Sequence, residues 1–206
     1  MTKEKSILYL VIFEAYEELC AQISSRNYVV HNEASMQMQM GVILNDIGRK
    51  YVSSPNKLDI ILEYEFHNPN LKTVKSSTGN ARIDIFLSLA TNGKKCTAAI
   101  EMKYFSKNPN AHTTDNRFEV LMDIENLEFY QNNGIADLNF FILYTDDDRY
   151  TTDNGKKIKL GNNGNPVSGM ISYQYKKANQ IIHLNGQYLS NWDTLDKKHY
   201  FLLTEI

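Results

Sequence analysis

Residues 81–105 read ARIDIFLSLATNGKKCTAAIEMKYF, and this stretch decides the fold. Two mostly apolar runs, 81–89 and 97–105, flank a polar centre. Both runs alternate with a period of two and are rich in β-branched and aromatic residues, which is typical of strands. Between them lies Asn92-Gly93, a pair that favours a two-residue hairpin turn because both positions of a type I′ turn require a positive φ. The stretch therefore predicts an antiparallel β-hairpin.

The register of this hairpin brings charged residues together. With the turn at Asn92-Gly93, Asp84 lies directly opposite Glu101, and Arg82 lies opposite Lys103. Directly opposed Cβ atoms are about 4.5–5.5 Å apart, so the two carboxylates can share one hard cation, whereas without a cation they destabilise the sheet. The other face is predicted to be core: Ile83, Ile85, Leu87, Leu89, Ala98, Ile100, Met102 and Tyr104.

Other interpretations of the same charges stay open. Asp84 and Lys103 can form a diagonal surface ion pair that contributes little to stability. A β-bulge would shift the register and separate the two acids. Arg82 can contact a phosphate or pair with a nearby acid.

Composition and length bound the answer further. The chain has 206 residues, enough for one well-cored domain, and a formal net charge of −2, so no global basic field marks a nucleic-acid binder. Cys20 and Cys96 form no disulfide framework or metal-ligand spacing, so we expect a reduced, cytoplasmic setting. No apolar run is long enough to span a membrane.

The remaining segments predict an α/β fold with a mixed central sheet flanked by helices. Asn32 is the expected N-cap of the second helix, and Thr114 or Asp115 that of the third. The crossover through the third helix makes the fourth strand parallel to a neighbour. The elements expected in one domain over 1–206 are a helix over 5–25, a helix over 32–51, strands over 57–66, 81–89 and 97–105, a helix ending near 132, a strand over 138–145, and a β-rich C-terminal extension over 150–206.

Glu33 is a further candidate, because it lies on the first turn of the second helix, on the same face as the apolar stripe. An acid at this position either balances the helix dipole or points into a site, and the sequence does not choose between the two.

The core over about 32–145 resembles the PD-(D/E)XK nuclease superfamily, whose best-known members are restriction endonucleases. An acid on one strand, a hairpin turn and Glu-x-Lys on the next strand lie inside an αβββαβ order of elements. Asp84 matches the first acid of the motif, Glu101 the second and Lys103 the lysine. Glu33 matches the acid that many members have on the first core helix, whereas Ile83 replaces the proline after which the motif is named.

The resemblance implies a magnesium-dependent DNA endonuclease, of restriction type or from another defence or mobile-element system. Asp84 and Glu101 would hold one or two Mg²⁺ ions, with the backbone carbonyl of Ile100 or Met102 as an extra ligand. Glu33 would hold a second metal or a metal-bound water, and Mn²⁺ would substitute for Mg²⁺. Such a metal polarises the phosphate and lowers the pKa of a bound water.

Lys103 would orient that water or neutralise developing negative charge. Glu63 and Glu65 are reserve acids on the preceding strand. A sequence-specific enzyme of this kind would act as a homodimer on palindromic DNA. Two alternatives remain: a catalytically silent nucleic-acid-binding or protein-interaction module on the same fold, and an unrelated α/β protein in which the three residues coincide by chance.

Overall fold

A mixed five-stranded sheet forms the centre of the molecule, in a computed structural model that describes residues 1–91, 93–162 and 164–206. The helices and strands follow one another in the predicted order. They are α1 Lys3–Ser24, α2 Glu33–Tyr51, β1 Lys57–His67, β2 Asn80–Thr91, β3 Lys94–Phe105, α3 Thr113–Asn132, β4 Leu138–Thr145, a short 3-10 helix Asp148–Tyr150, β5 Val167–Tyr175, β6 Ala178–Tyr188 and β7 Tyr200–Glu205.

The strands of the central sheet are arranged in the order β1-β2-β3-β4-β7. β3 and β4 are parallel, and the other neighbours are antiparallel. β5 and β6 form a separate antiparallel pair. The α/β class, the mixed sheet and the parallel fourth strand are therefore confirmed.

Helices cover both faces of the sheet. α1 and α2 pack on one face, and the predicted stripe of α1 is fully buried there: Leu8, Ile12, Ala15, Leu19 and Ile23. α3 packs on the other face and the β5–β6 pair packs on α3, in a shared core that contains Phe118, Leu121 and Phe141. In the parts of the chain that the structure describes, no helix is long and apolar enough to cross a membrane.

The start of α2 is set by its cap. Asn32 is the N-cap, as predicted, and its side-chain oxygen accepts a hydrogen bond of 2.8 Å from the backbone N–H of Ser35. The Ser35 hydroxyl in turn accepts from the backbone N–H of Asn32, which completes a capping box. This local geometry fixes Glu33 as the first residue of the helix.

The predicted cap of α3 is wrong. The helix begins at Thr113 with His112 in the N-cap position, so Thr114 and Asp115 already lie within its first turn. The Asp115 carboxylate instead accepts a hydrogen bond of 2.6 Å from the hydroxyl of Tyr173 on β5. A tertiary contact has replaced the local capping bond that the sequence favoured.

The register of the β2–β3 hairpin is confirmed over seven pairs, from Thr91 opposite Lys94 to Ile85 opposite Ile100. Gly93 has a φ of +79°, as the second position of a type I′ turn requires. The other half of the predicted turn, Asn92, lies outside the described residues.

Midway along β1 and β2, the side chains that pointed to one face of the sheet change to the other face. Glu63 on β1 has a φ of +51°, a left-handed conformation that reverses the alternation of side chains along the strand. On β2, Ile85 packs on the α1–α2 side, whereas Ile83 packs on the α3 side. The prediction that Ile83 and Ile85 share one face is therefore wrong, because the alternation of side chains is interrupted between them.

The C-terminal segment is β-rich, as predicted, but it is not wholly an extension. β7 pairs with β4 in the central sheet, with Leu203 opposite Ile142. Phe201 and Leu202 on β7 are almost fully buried, one on each face. Residues beyond the predicted core thus complete the sheet that holds the candidate site.

Candidate active site

The candidate site lies where β2 and β3 part. Their regular pairing extends to Ile85 and Ile100, one pair before Asp84 and Glu101. The Asp84 carboxylate then accepts a hydrogen bond of 2.7 Å from the backbone N–H of Met102. Asp84 therefore bridges the two strands at the opening, close to Glu101.

Arg82 does not lie opposite Lys103, as the extrapolated register predicted, because the strands have separated at this point. In the register of β1 and β2, Arg82 lies opposite Glu65. Its guanidinium forms an ion pair with the Glu63 carboxylate, at 3.5 Å. The sequence allowed Arg82 either to contact a phosphate or to pair with an acid, and in the structure it pairs with an acid. Glu63 is therefore engaged in an ion pair, whereas Glu65 lines the cavity of the site and stays a reserve acid.

Glu101 is completely buried. One carboxylate oxygen accepts a hydrogen bond of 2.9 Å from the ammonium of Lys75, and the other, Oε1, has no partner among the described residues. Burial and the neighbouring charges of Asp84 and Asp123 raise the pKa of Glu101, against the opposing effect of Lys75. A buried carboxylate with a free oxygen is costly unless a proton or a cation binds to it.

Lys103 is held by two acids from different elements. Its Nζ is 3.1 Å from Glu33 on α2 and 3.1 Å from Asp123 on α3, and it also donates to the Met102 carbonyl at 3.3 Å. Burial alone would lower the pKa of Lys103, but these acids outweigh burial and raise the pKa. Lys103 therefore remains a fixed positive charge at neutral pH.

Glu33 points into the site, which answers the question that the sequence left open. Its position at the N-terminus of α2 also places it in the favourable field of the helix dipole. Partial burial raises the pKa of Glu33, and Lys103 opposes this shift. The structure thus brings together all four predicted side chains: Glu33, Asp84, Glu101 and Lys103.

Two members of the cluster were not predicted. Asp123 on α3 is buried, and Lys75 comes from the loop between β1 and β2. The Lys75 ammonium is 2.5 Å from Asp123 and bridges it to Glu101. Burial would raise the pKa of Asp123, but Lys75 and Lys103 outweigh burial and lower it.

The cluster has more negative than positive groups. It contains four carboxylates (Glu33, Asp84, Glu101 and Asp123) and two ammonium groups (Lys75 and Lys103), so full ionisation leaves two uncompensated negative charges. Burial raises the pKa values of Asp84, Glu101 and Glu33, the three acids that the two lysines compensate least. A divalent cation would supply the missing charge.

An open cavity of about 700 Å³ gives access to the cluster. Its wall includes Glu33, Asp84, Lys75 and Lys103, with Arg82 at the side. Glu101 lies behind this wall, where Lys75 covers it. A ligand in the cavity therefore meets Asp84 and Lys103 directly.

The oxygen donors fit a hard divalent cation. Within the described residues, no three His, Cys, Asp or Glu side chains are grouped so that they could hold a metal ion. Mg²⁺, however, commonly binds through only one or two carboxylates and keeps several waters. Asp84 and the unpartnered oxygen of Glu101 are carboxylate donors of this kind, and the excess of negative charge would favour a cation beside them, whereas the Met102 carbonyl already accepts a hydrogen bond from Lys103. The Lys75 ammonium supplies part of that positive charge in this structure.

The chain matches no protein-family model, and no curated protein and no solved structure matches it.

Proposed function

We propose that this protein is a magnesium-dependent nuclease that hydrolyses phosphodiester bonds in DNA, on a restriction-endonuclease-like core of the PD-(D/E)XK type. One observation supports this proposal above all. Asp84, Glu101 and Lys103 converge where two central strands part, and Glu33 joins them through Lys103. The convergence of two carboxylates and a lysine beside an open cavity suits the hydrolysis of a phosphodiester.

The cation would be held by Asp84, Glu101 and the Met102 carbonyl, with Glu33 on the Lys103 side of the cluster. When bound, it would polarise the phosphate and lower the pKa of a coordinated water. Mn²⁺ would serve in place of Mg²⁺, since both prefer oxygen ligands. The hydrogen bond from Met102 N–H fixes one Asp84 oxygen, and the other accepts no hydrogen bond from the described residues.

Lys103 would act on the substrate rather than on the cation. Its ammonium is preorganised by Asp123 and Glu33, so its position requires no rearrangement when a phosphate enters the cavity. There it would donate a hydrogen bond to the attacking water or to a phosphate oxygen. Because the pKa of Lys103 is raised, it acts as a fixed charge and not as a general base.

The shape of the cavity supports a polymeric substrate. The cavity is open, as a polymer requires, and Arg82 stands at its side with an exposed side chain. A restriction-type or other defence or mobile-element nuclease is the role we propose. If it recognises a specific sequence, it would do so as a homodimer on two-fold symmetric DNA.

Replacing Glu101 tests the proposal. Glu101→Gln removes the carboxylate charge with little change in volume, so we expect the cleavage rate to fall by about 100-fold or more. Supercoiled plasmid and linear duplex DNA are incubated with Mg²⁺, with Mn²⁺ and with EDTA, and the products are separated on gels. The wild-type protein is expected to cleave with either metal and not with EDTA.

Asp59→Asn is the matched control. Asp59 is a half-exposed carboxylate that forms an ion pair with Lys57, and both residues lie at the start of β1, away from the candidate site. It is expected to leave cleavage unchanged. Full magnesium-dependent activity in Glu101→Gln would overturn the proposal.

A non-catalytic binding module is the second candidate, and the position of Lys75 favours it. The Lys75 ammonium already bridges Glu101 and Asp123, as a permanent structural ion pair would. If the site does bind a cation, then Lys75 competes with that cation for Glu101.

Lys75→Met separates the two candidates. A nuclease site is expected to bind Mn²⁺ about tenfold or more tightly in this variant, because a positive charge next to the ligands is removed. Isothermal titration calorimetry measures the affinity, and Lys72→Met, at an exposed position of the same loop, is the control. Absence of Mn²⁺ binding in wild type and in Lys75→Met would favour the silent module.

A further inference from the structure

A strained turn carries positive charge at the tip of the β5–β6 pair. Lys176 and Lys177 form the two-residue connection, and their φ values are +47° and +69°. Turns of this type favour Asn and Gly, because other side chains are strained at positive φ. Strained backbone of this kind clusters at active sites and at segments that hold ligands.

The turn lies beside the candidate active site. A second cavity of about 400 Å³ has Lys176 at one side and Lys75 and Lys103 at the other. Lys75 and Lys103 also line the first cavity. The two cavities therefore adjoin, and the second is lined by Lys75, Lys103 and Lys176 together with the acids Glu119 and Asp123.

α3 holds the β5–β6 arm in place. The hydroxyl of Tyr175 donates to Glu119 at 2.5 Å, and the backbone N–H of His183 donates to Glu125 at 2.9 Å. Glu128 accepts from the backbone N–H of Gly186 at 2.6 Å. These contacts come from the helix that also carries Asp123, so the turn and the active site are attached to one rigid element.

The ammonium groups on this arm are presented to solvent. Lys176 lies over the ring of Tyr175, 4.7 Å from its centre, and Lys157 lies 5.0 Å from the centre of the Tyr173 ring. Stacking on an aromatic face orients a lysine without neutralising it. Lys176 and Lys177 are both exposed.

We propose that the Lys176–Lys177 turn and the second cavity bind backbone phosphates of duplex DNA on one side of the scissile bond, an inference that rests on the proposed nuclease function. Lysines act as point charges for phosphates and confer no base specificity. The formal net charge of −2 disfavours general adhesion of the whole protein to DNA, so a local row of lysines is needed to hold the strand.

The test is the double variant Lys176→Asn/Lys177→Gly, which installs the residues that a type I′ turn prefers. Its Tm is expected to rise, because the strain is relieved. Its affinity for a fluorescent duplex DNA, measured by anisotropy in EDTA so that nothing is cleaved, is expected to fall. The salt dependence of its Kd should correspond to about two fewer phosphate contacts than in wild type. The ratio of variant to wild-type Kd should therefore change about tenfold between roughly 50 and 200 mM salt.

The control removes the same charge elsewhere. Lys94→Gln/Lys95→Gln alters two exposed lysines at the opposite end of the β2–β3 hairpin and is expected to leave the salt slope unchanged. An unchanged Kd in Lys176→Asn/Lys177→Gly, or an equal loss in the control, would overturn this inference while leaving the cleavage results intact. DNA binding that depends on the turn, in a wild-type protein that never cleaves, would support this surface and overturn the nuclease.

Discussion

Replacing Lys103 by methionine is expected to reduce the rate of DNA cleavage by about 100- to 1,000-fold, the range typical of a lost group that stabilises charge in the transition state. Methionine keeps the aliphatic volume of the side chain and removes the ammonium. The ammonium is the group through which Lys103 forms ion pairs with Glu33 and Asp123. The measurement is single-turnover cleavage with saturating Mg²⁺.

Cation binding distinguishes this prediction from simple loss of the site. Lys103→Met removes a positive charge near the proposed ligands, so Mn²⁺ affinity is expected to stay the same or to increase while cleavage falls. A structural role for Lys103 would instead reduce both together. Lys107→Met, two residues beyond β3 at an exposed position, is the matched control and is expected to cleave like wild type.

The Lys103 variant also tests the fold. Asp123 retains its ion pair with Lys75, so the variant is expected to fold, with a circular dichroism spectrum like that of wild type. Cleavage at the wild-type rate by folded Lys103→Met would contradict the role proposed here for the ammonium.

The central hairpin could be predicted from the sequence because its information is local. The Asn-Gly pair and the period-two alternation sufficed for the register of seven residue pairs. The same argument placed Asp84 and Glu101 at the end of that register, where the structure has them close together. The extrapolation failed two pairs later, at Arg82 and Lys103, because the strands separate and local rules no longer apply.

The turning over of β1 and β2 could not be predicted. On β1 it coincides with a positive φ at Glu63, a residue with no local preference for that conformation. Around this point the Arg82 guanidinium on β2 contacts Glu63 on β1, and the Met102 N–H on β3 donates to Asp84 on β2. Such tertiary contacts are invisible to a pattern of apolar and polar residues, so Ile83 was assigned to the wrong face.

Asp123 was missed because α3 is buried almost all round. A helix with one solvent-exposed face has an apolar stripe on its other face. α3 is covered on two sides, by the sheet and by the β5–β6 pair, so its sequence shows no single stripe. Its buried polar residues therefore look like an ordinary exposed face in the sequence: Arg117, Asp123, Glu125, Asn126 and Glu128. Lys75 lies in a loop without periodicity, so no sequence signal marked it.

The largest expected loss of stability follows from Arg117→Met. Arg117 is completely buried, and its guanidinium donates to the Asp153 carboxylate at 2.6 Å. It also donates to four backbone carbonyls of the segment that leads to β5: those of Arg149, Tyr150, Thr152 and Ile158. Removing one partner of a buried ion pair costs about 3–5 kcal/mol.

Two further variants define the cause of this loss. Arg117→Lys keeps the charge but is expected to be destabilised as well, because one ammonium cannot reach five acceptors that a planar guanidinium serves. Arg49→Met makes the same substitution at an exposed position and is expected to change the free energy of unfolding by less than about 0.5 kcal/mol. Chemical denaturation measures all three. A loss in Arg117→Met no larger than in Arg49→Met would contradict the role assigned to Arg117.

The dependence on pH follows from the acid that Arg117 holds. Burial would raise the pKa of Asp153, but the backbone N–H groups of Leu160 and Asn162, together with the Arg117 guanidinium, outweigh burial and lower the pKa. An acid with a lowered pKa in the folded state stabilises the protein above its ordinary pKa of about 3.9, and this contribution disappears as the pH falls through the lowered value. Loss of the guanidinium weakens that contribution, so the stability difference between wild type and Arg117→Met is expected to shrink as the pH is lowered from about 6 to about 3. A difference that stays constant over this range would mean that Arg117 acts through its bonds to the backbone carbonyls alone.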